Sequence, residues 1–160
     1  MKNNEQVEIV TYNPKYKKDF KDLNIEWISN YFVVEPNDVK ALDHAEDYII
    51  NKGGEIFAAV LNEEVLGVCA LIKSEGKDYD YELAKMAVSP IAQGKGVGLL
   101  LAESAIKWAK EKGASKIYLE SNTKLKPAIK LYEKLGFKEV TGLSSAYDRV
   151  DIQMILMLNS

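Results

Sequence analysis

The chain is short of the residues that build metal clusters, disulfides and membrane spans. Among its 160 residues it holds one cysteine, Cys69, and one histidine, His44. A disulfide within the chain is therefore impossible, and a His/Cys metal cluster cannot be assembled. The carboxylates show no calcium-loop spacing, so no metal is expected. With 47% hydrophobic residues, four prolines and ten glycines, the composition is that of an ordered globular chain rather than a disordered one. No apolar run approaches the roughly 18 residues of a membrane span, and the start, MKNNEQVEIV, lacks the basic and apolar parts of a signal peptide. No membrane association and a cytoplasmic location are the expectations. A net charge of -3, with basic and acidic residues interspersed, offers no broad cationic face, so nucleic acid is not an expected partner.

What is present reads as one α/β domain over residues 1–160, with a mixed sheet covered by helices. Val7 to Tyr12 reads as a short strand, and Asn13-Pro14 starts a helix with the apolar stripe Tyr16, Phe20, Leu23, Trp27 and Tyr31. Val39, Leu42, Ala45 and Ile49 predict a second helix, ended by Gly53-Gly54 and containing His44 as a solvated residue. Glu55–Leu61 and Val65–Ile72 form a hairpin around Asn62-Glu63-Glu64, and Cys69 in that second run is a buried strand residue rather than a nucleophile. Tyr79–Val88 is a third strand, stopped by Ser89-Pro90. A long helix closed by Gly113 follows, then a strand Ser115–Ser121, a helix Pro127–Leu135, and strands Phe137–Val140 and Val150–Leu156.

The loop QGKGVG, Gln93 to Gly98, leads straight into the long helix. Glycine adopts positive φ without penalty, and the first N–H groups of a helix have no internal partner, so such a loop can close its backbone around an anion. Pyrophosphate suits it. The segment lacks G-x-x-x-x-G-K-[ST], which excludes a nucleotide-hydrolysing P-loop. It also puts Leu99 where a dinucleotide fingerprint needs its third glycine, which leaves a nicotinamide enzyme as a weak alternative.

The pattern Q-x-x-G-x-G, filled by Gln93, Gly96 and Gly98, together with PAIKLYEKLGF at Pro127 to Phe137, resembles the GNAT family of acetyl-CoA-dependent N-acetyltransferases. That resemblance implies the GNAT-like acyl-CoA N-acyltransferase fold, with a central, mostly antiparallel sheet flanked by helices. It further implies that the main chain of Met86, Ala87 and Val88 pairs with the pantetheine arm, and that Gln93, Gly94, Lys95, Gly96, Val97 and Gly98 cradle the pyrophosphate. Ala128 and Tyr132 fall on the second motif, where the tyrosine in many relatives lies near the thioester sulfur and can protonate the leaving thiolate. Leu125 stands where relatives often carry an asparagine on the pantetheine arm, and Asn122, at the end of the preceding strand, is the candidate substitute.

An amine with a pKa near 10.4 carries an ionisation penalty of about 4.6 kcal/mol at pH 7, so a positioned base is useful. Glu82, five residues before Ala87, matches the catalytic glutamate of similar protein-lysine acetyltransferases. Glu120, Asp148 and Asp151 are the other candidate carboxylates, and Leu143–Arg149, with Tyr147, Asp148 and Arg149, is the candidate acceptor loop. The expected partners are acetyl-CoA and an amine on a small molecule or peptide. A non-catalytic acyl-CoA sensor stays open as the alternative function, and a homodimer as an assembly.

Overall fold

The computed structural model describes residues 6–158. Strands β1 (Glu8–Thr11), β2 (Glu55–Leu61), β3 (Glu64–Lys73), β4 (Tyr81–Val88), β5 (Lys116–Ser121), β6 (Lys138–Val140) and β7 (Ile152–Met157) make one sheet in the order β1-β2-β3-β4-β5-β7-β6. Neighbours run antiparallel except β4 and β5, which are parallel. Parallel strands need a crossover, and α3 (Val97–Glu111) supplies it.

The sheet is apolar on both faces, so helices cover both. α3 packs Val97, Leu101, Ala105 and Ala109 on one face, joined by Ile129, Tyr132 and Leu135 of α4 (Lys126–Leu135). The other face is covered by α1 (Lys17–Tyr31) and α2 (Pro36–Asp43), through Phe20 and Leu42, and by the following π-helical turn Glu46–Ile50 through Ile49. Three local features differ from the sequence reading. The helix predicted through Ile49 breaks at His44, whose backbone leaves helical angles. The hairpin turn is two residues, Asn62-Glu63, both at positive φ, so β3 begins at Glu64. The fully buried residues of α1 are Phe20, Asn24 and Ile28; Leu23 and Trp27 of the predicted stripe, with Tyr16 just before the helix, pack partly buried against the same core, and Tyr31 is exposed. Asn24 is tolerated as a buried residue because its amide donates to the Phe20 carbonyl at 2.9 Å.

One irregularity shapes the molecule's centre. Along β3 and β4, Val68 pairs with Ala87 and Ala70 with Ala84, so Cys69 stands opposite both Lys85 and Met86. This is a β-bulge, with Lys85 at φ +54°. Pairing of β4 with β5 is limited to Tyr81 with Ile117 and Glu82 with Tyr118. Beyond Glu82 the two strands separate.

Candidate active site

The separation opens a cleft of about 1020 Å³ between the C-terminal ends of β4 and β5. Its floor is the unpaired edge of β4, from which Met86 and Val88 face inward, while Ala87 turns its side chain into the core on the other face. One wall is the glycine loop. Gln93 ties the loop to the strand by donating from Nε2 to the Val88 carbonyl at 3.2 Å. Gly94 and Gly96 hold φ of +80° and +83°, and a Cβ on either would meet nothing within 4 Å. Backbone conformation rather than crowding therefore calls for glycine, and the loop's surface is open to a ligand.

Gly96 is the N-cap of α3, and the helix's ladder begins with Leu100 N–H donating to the Gly96 carbonyl at 3.1 Å. The N–H groups of Val97, Gly98 and Leu99 consequently have no partner inside the helix and sit at the positive end of its dipole. No carboxylate side chain belongs to the loop. An anionic diphosphate fits this cradle on conformation, hydrogen-bond donors and field alike. The Val97 side chain itself is buried in the core, so only its main chain is available. Lys95 is exposed and lies outside the cleft lining. Gly98 is where the loop meets the opposite wall: a Cβ there would touch Leu131 and Met86 at 3.7 Å each.

That opposite wall is α4 and the turn before it. Ala128 and Tyr132 line the cleft from α4. Tyr132 packs edge-on against Phe137 with ring centroids 5.9 Å apart, and among the described residues nothing hydrogen-bonds its hydroxyl. Burial pushes its pKa up to about 12. Asn122 also lines the cleft, but its amide donates to the Arg149 carbonyl at 2.8 Å and accepts from Lys124 N–H at 2.9 Å. Those bonds shape the turn between β5 and α4, and one N–H of Asn122 stays free for a ligand.

Glu82 and Glu120 both line the cleft at the point where the sheet opens. Burial lifts the Glu82 pKa from the usual carboxylate range to about 8, with the nearby Glu120 charge adding and Lys85 opposing. No described residue hydrogen-bonds the Glu82 carboxyl. Glu120, by contrast, is fixed by the Tyr118 hydroxyl at 2.7 Å and the Ser145 hydroxyl at 3.0 Å. Tyr118 is itself held by Gln153, whose Nε2 donates to the phenol at 2.7 Å. Asp148 and Asp151 are exposed and lie off the cleft, and Asp151 accepts from Thr123 N–H and Oγ1 instead.

The remaining wall joins Tyr147 and Arg149 of the expected acceptor loop to two residues the sequence reading did not single out, Lys85 and Asp38. Lys85 extends from the bulge to Asp38 of α2 at 2.6 Å and to the Tyr147 hydroxyl at 3.1 Å. Arg149 grips the same carboxylate with two nitrogens, each at 2.7 Å, and stacks on the Tyr147 ring. Burial alone would raise the Asp38 pKa, but the Arg149 and Lys85 hydrogen bonds and the Glu35 N–H pull it down to about 2. Trp27 and Tyr31 complete the rim from the last turns of α1. A lone lysine inside the apolar run of β4 was the available signal for this network.

Among the described residues no group of three or more potential ligands could hold a metal ion, and no helix is long and apolar enough to cross a membrane. Cys69 is buried and its thiol pKa is raised by that burial, so it is not primed for nucleophilic attack. His44 is exposed and outside the cleft.

A mostly antiparallel sheet that parts between its parallel pair, beside a glycine loop feeding a helix, defines the acyl-CoA N-acyltransferase fold. An acetyltransferase of the GNAT family from Staphylococcus aureus Mu50 superimposes with a TM-score of 0.86, covering 96% of this chain and 100% of that one at 23% identity. The chain belongs to the acetyltransferase (GNAT) family, whose pattern matches residues 20–137. It is 29% identical to YjgM, an uncharacterized N-acetyltransferase of Escherichia coli K12, over 91% of this chain and 87% of that one. It is also 35% identical over 96 residues to an N-acetylaspartate synthetase of Xenopus tropicalis, of which it spans only 35%.

Proposed function

We propose that residues 1–160 work as one N-acetyltransferase domain, moving the acetyl group of acetyl-CoA to the amine of a small molecule or peptide. The observation that carries this reading is the junction of the opened sheet edge with the free N–H groups of the glycine loop. A pantetheine arm extends along Met86 to Val88 like an added strand, its amides meeting main-chain groups that β5 no longer pairs. Gln93, Gly94, Gly96, Val97 and Gly98 hold the pyrophosphate through main-chain N–H groups, with Lys95 contributing only long-range charge. Asn122 and Ala128 border the arm on the far side.

Bound acetyl-CoA supplies an activated acyl carbon, whose C–S bond breaks as the N–C bond to the acceptor forms. Glu82 takes the proton that the amine must lose. A carboxylate near 8 is far better matched to an amine than an ordinary one, because general-base efficiency peaks when the base titrates near working pH. The main-chain N–H near Val88 steadies the carbonyl oxygen as negative charge develops there. Tyr132 donates a hydrogen bond to the departing sulfur. A phenol at about 12 is a weaker acid than a thiol at roughly 8.5, a difference of about 5 kcal/mol, so Tyr132 stabilises the thiolate more than it protonates it. The final proton then comes from solvent.

The test is a pair of measurements on the full chain: calorimetric titration with acetyl-CoA, then CoA release against a panel of amines. Binding with acceptor-dependent release supports the transferase. Binding without release above hydrolysis for any amine would instead support a sensor, and failure to bind removes both readings.

A further inference from the structure

The acceptor wall is built with its anions behind and its cations in front. Asp38 is fully buried, does not line the cleft, and has every lone-pair site occupied. It accepts from Lys85, from Arg149 twice, and from the Glu35 N–H at 2.9 Å. Glu35 also stays outside the lining and meets Arg149 only at 3.4 Å. Lys85 and Arg149 do line the cleft, and their hydrogen bonds are not used up. Lys85 spends two of its three N–H donors on Asp38 and Tyr147. Arg149 spends both Nη1 donors and one on Nη2, leaving Nε and the second Nη2 hydrogen without a partner among the described residues. A third cation, Lys124, stands at the rim, where it donates to the Tyr31 carbonyl at 2.9 Å and lies over the Phe32 ring. At the opened rung of the sheet the lining is instead acidic, with Glu82 and Glu120.

We propose that the acceptor is a zwitterion: an amine that also carries a carboxylate, held by the free donors of Lys85 and Arg149 while its amino group faces Glu82. This rests on the transferase reading given above. The carboxylate completes hydrogen bonds that the fold leaves unmade, and its charge is answered by cations already aligned by Asp38. Tyr147, stacked under Arg149 and bonded to Lys85, is a positioning residue that keeps both donors on the cleft wall. A simple monoamine or a polyamine offers these cations nothing and would place its own charge against them.

The experiment compares acceptors that differ only in one carboxylate: L-alanine with L-alaninamide, L-aspartate with its α-amide, and β-alanine with its amide. Amides of amino acids are the less basic amines, so ionisation alone favours the amide, and preference for the acid reads recognition. The acid is expected to lead by at least about tenfold in kcat/KM for one of the pairs. Arg149→Lys keeps a cation for Asp38 but loses the planar fork, and it is expected to erode that ratio by about tenfold with a smaller change for the amide. A variant that merely folds less well lowers both partners of a pair equally and leaves the ratio intact. Amides used as well as acids, or a ratio unchanged in Arg149→Lys, overturn the proposal while leaving the transferase in place. Acetyl-CoA binding with no turnover of any amine removes the transferase reading and this inference with it.

Discussion

Glu82 and Tyr118 form the last rung of the parallel ladder between β4 and β5, and the cleft starts at that rung. The pairing sets a carboxyl at the mouth of an opened sheet, next to Glu120 and largely out of water. Because its folded pKa is raised to about 8 from 4.5, Glu82 favours the folded state fully below pH 4.5, and that contribution is lost as pH climbs through 8. By pH 7 the loss amounts to about 3 kcal/mol. Glu82→Gln is therefore expected to raise Tm at pH 8 and leave it unchanged at pH 4. The same change should lower kcat/KM by about 100-fold or more and remove the inflection near pH 8 expected in the wild-type pH–rate profile. Thermal melts at the two pH values and a pH–rate profile check both signs. A variant that melts earlier at pH 8 would contradict the buried-carboxyl account.

Gly96 and Gly113 have nearly the same backbone, at φ +83° and +84°, and a Cβ added to either would find no neighbour within 4 Å. Alanine at either site should cost about 1–2 kcal/mol through left-handed strain alone. Only Gly96 lies in the proposed diphosphate cradle. Gly96→Asp, which adds bulk and negative charge at the helix N-terminus, is expected to weaken acetyl-CoA binding by about 100-fold or more, whereas Gly113→Asp should leave the affinity unchanged. Calorimetry on the two variants separates backbone strain from ligand contact.

The glycine loop, the long helix, the hairpin and the strand–helix–strand tail were legible because each is written locally, in turn residues and in apolar periodicity. The stripe on α1 was legible through Tyr16, Phe20, Leu23 and Trp27, which pack on the core, but periodicity did not show that the same helix also borders a cleft. Tyr31 is exposed at the cleft, and Asn24, polar by type, is buried beside it by bonding its own helix. The Asp38–Lys85–Arg149 cluster joins residues 47 and 111 positions apart in the chain, and no local pattern encodes such a meeting. The bulge that swings Lys85 out of alternation is equally silent, since the strand reads as a regular apolar run.

Tyr132 offers a free hydroxyl to the cleft and an edge-on packing contact to Phe137. The packing belongs to the ring and the chemistry to the oxygen, so Tyr132→Phe keeps one and removes the other. It is expected to lower kcat by about 10- to 100-fold with acetyl-CoA affinity and Tm near those of the wild-type protein. Single-turnover kinetics alongside calorimetry check this. Equal kcat in the two proteins would reduce Tyr132 to a packing residue.

Asp38 carries the opposite linkage to Glu82. Its folded pKa is depressed to about 2 from 3.8, so the stability it contributes is present above pH 3.8 and is lost as pH falls through 2. The effect is about 2 kcal/mol. Removing the carboxylate goes further, because Lys85 and Arg149 would face each other at 5% and 18% side-chain exposure with only Glu35 to answer them. Asp38→Ala is expected to destabilise the fold by about 3–5 kcal/mol at pH 7, the magnitude typical of breaking a buried ion pair on one side. Pairing it with Lys85→Met should recover part of that loss, since the second change withdraws one of the stranded charges. Urea unfolding of the single and double variants at pH 7 measures the recovery. Purely additive losses would mean that Asp38 and Lys85 act independently, and the network would then not be what holds α2 against the bulged strand.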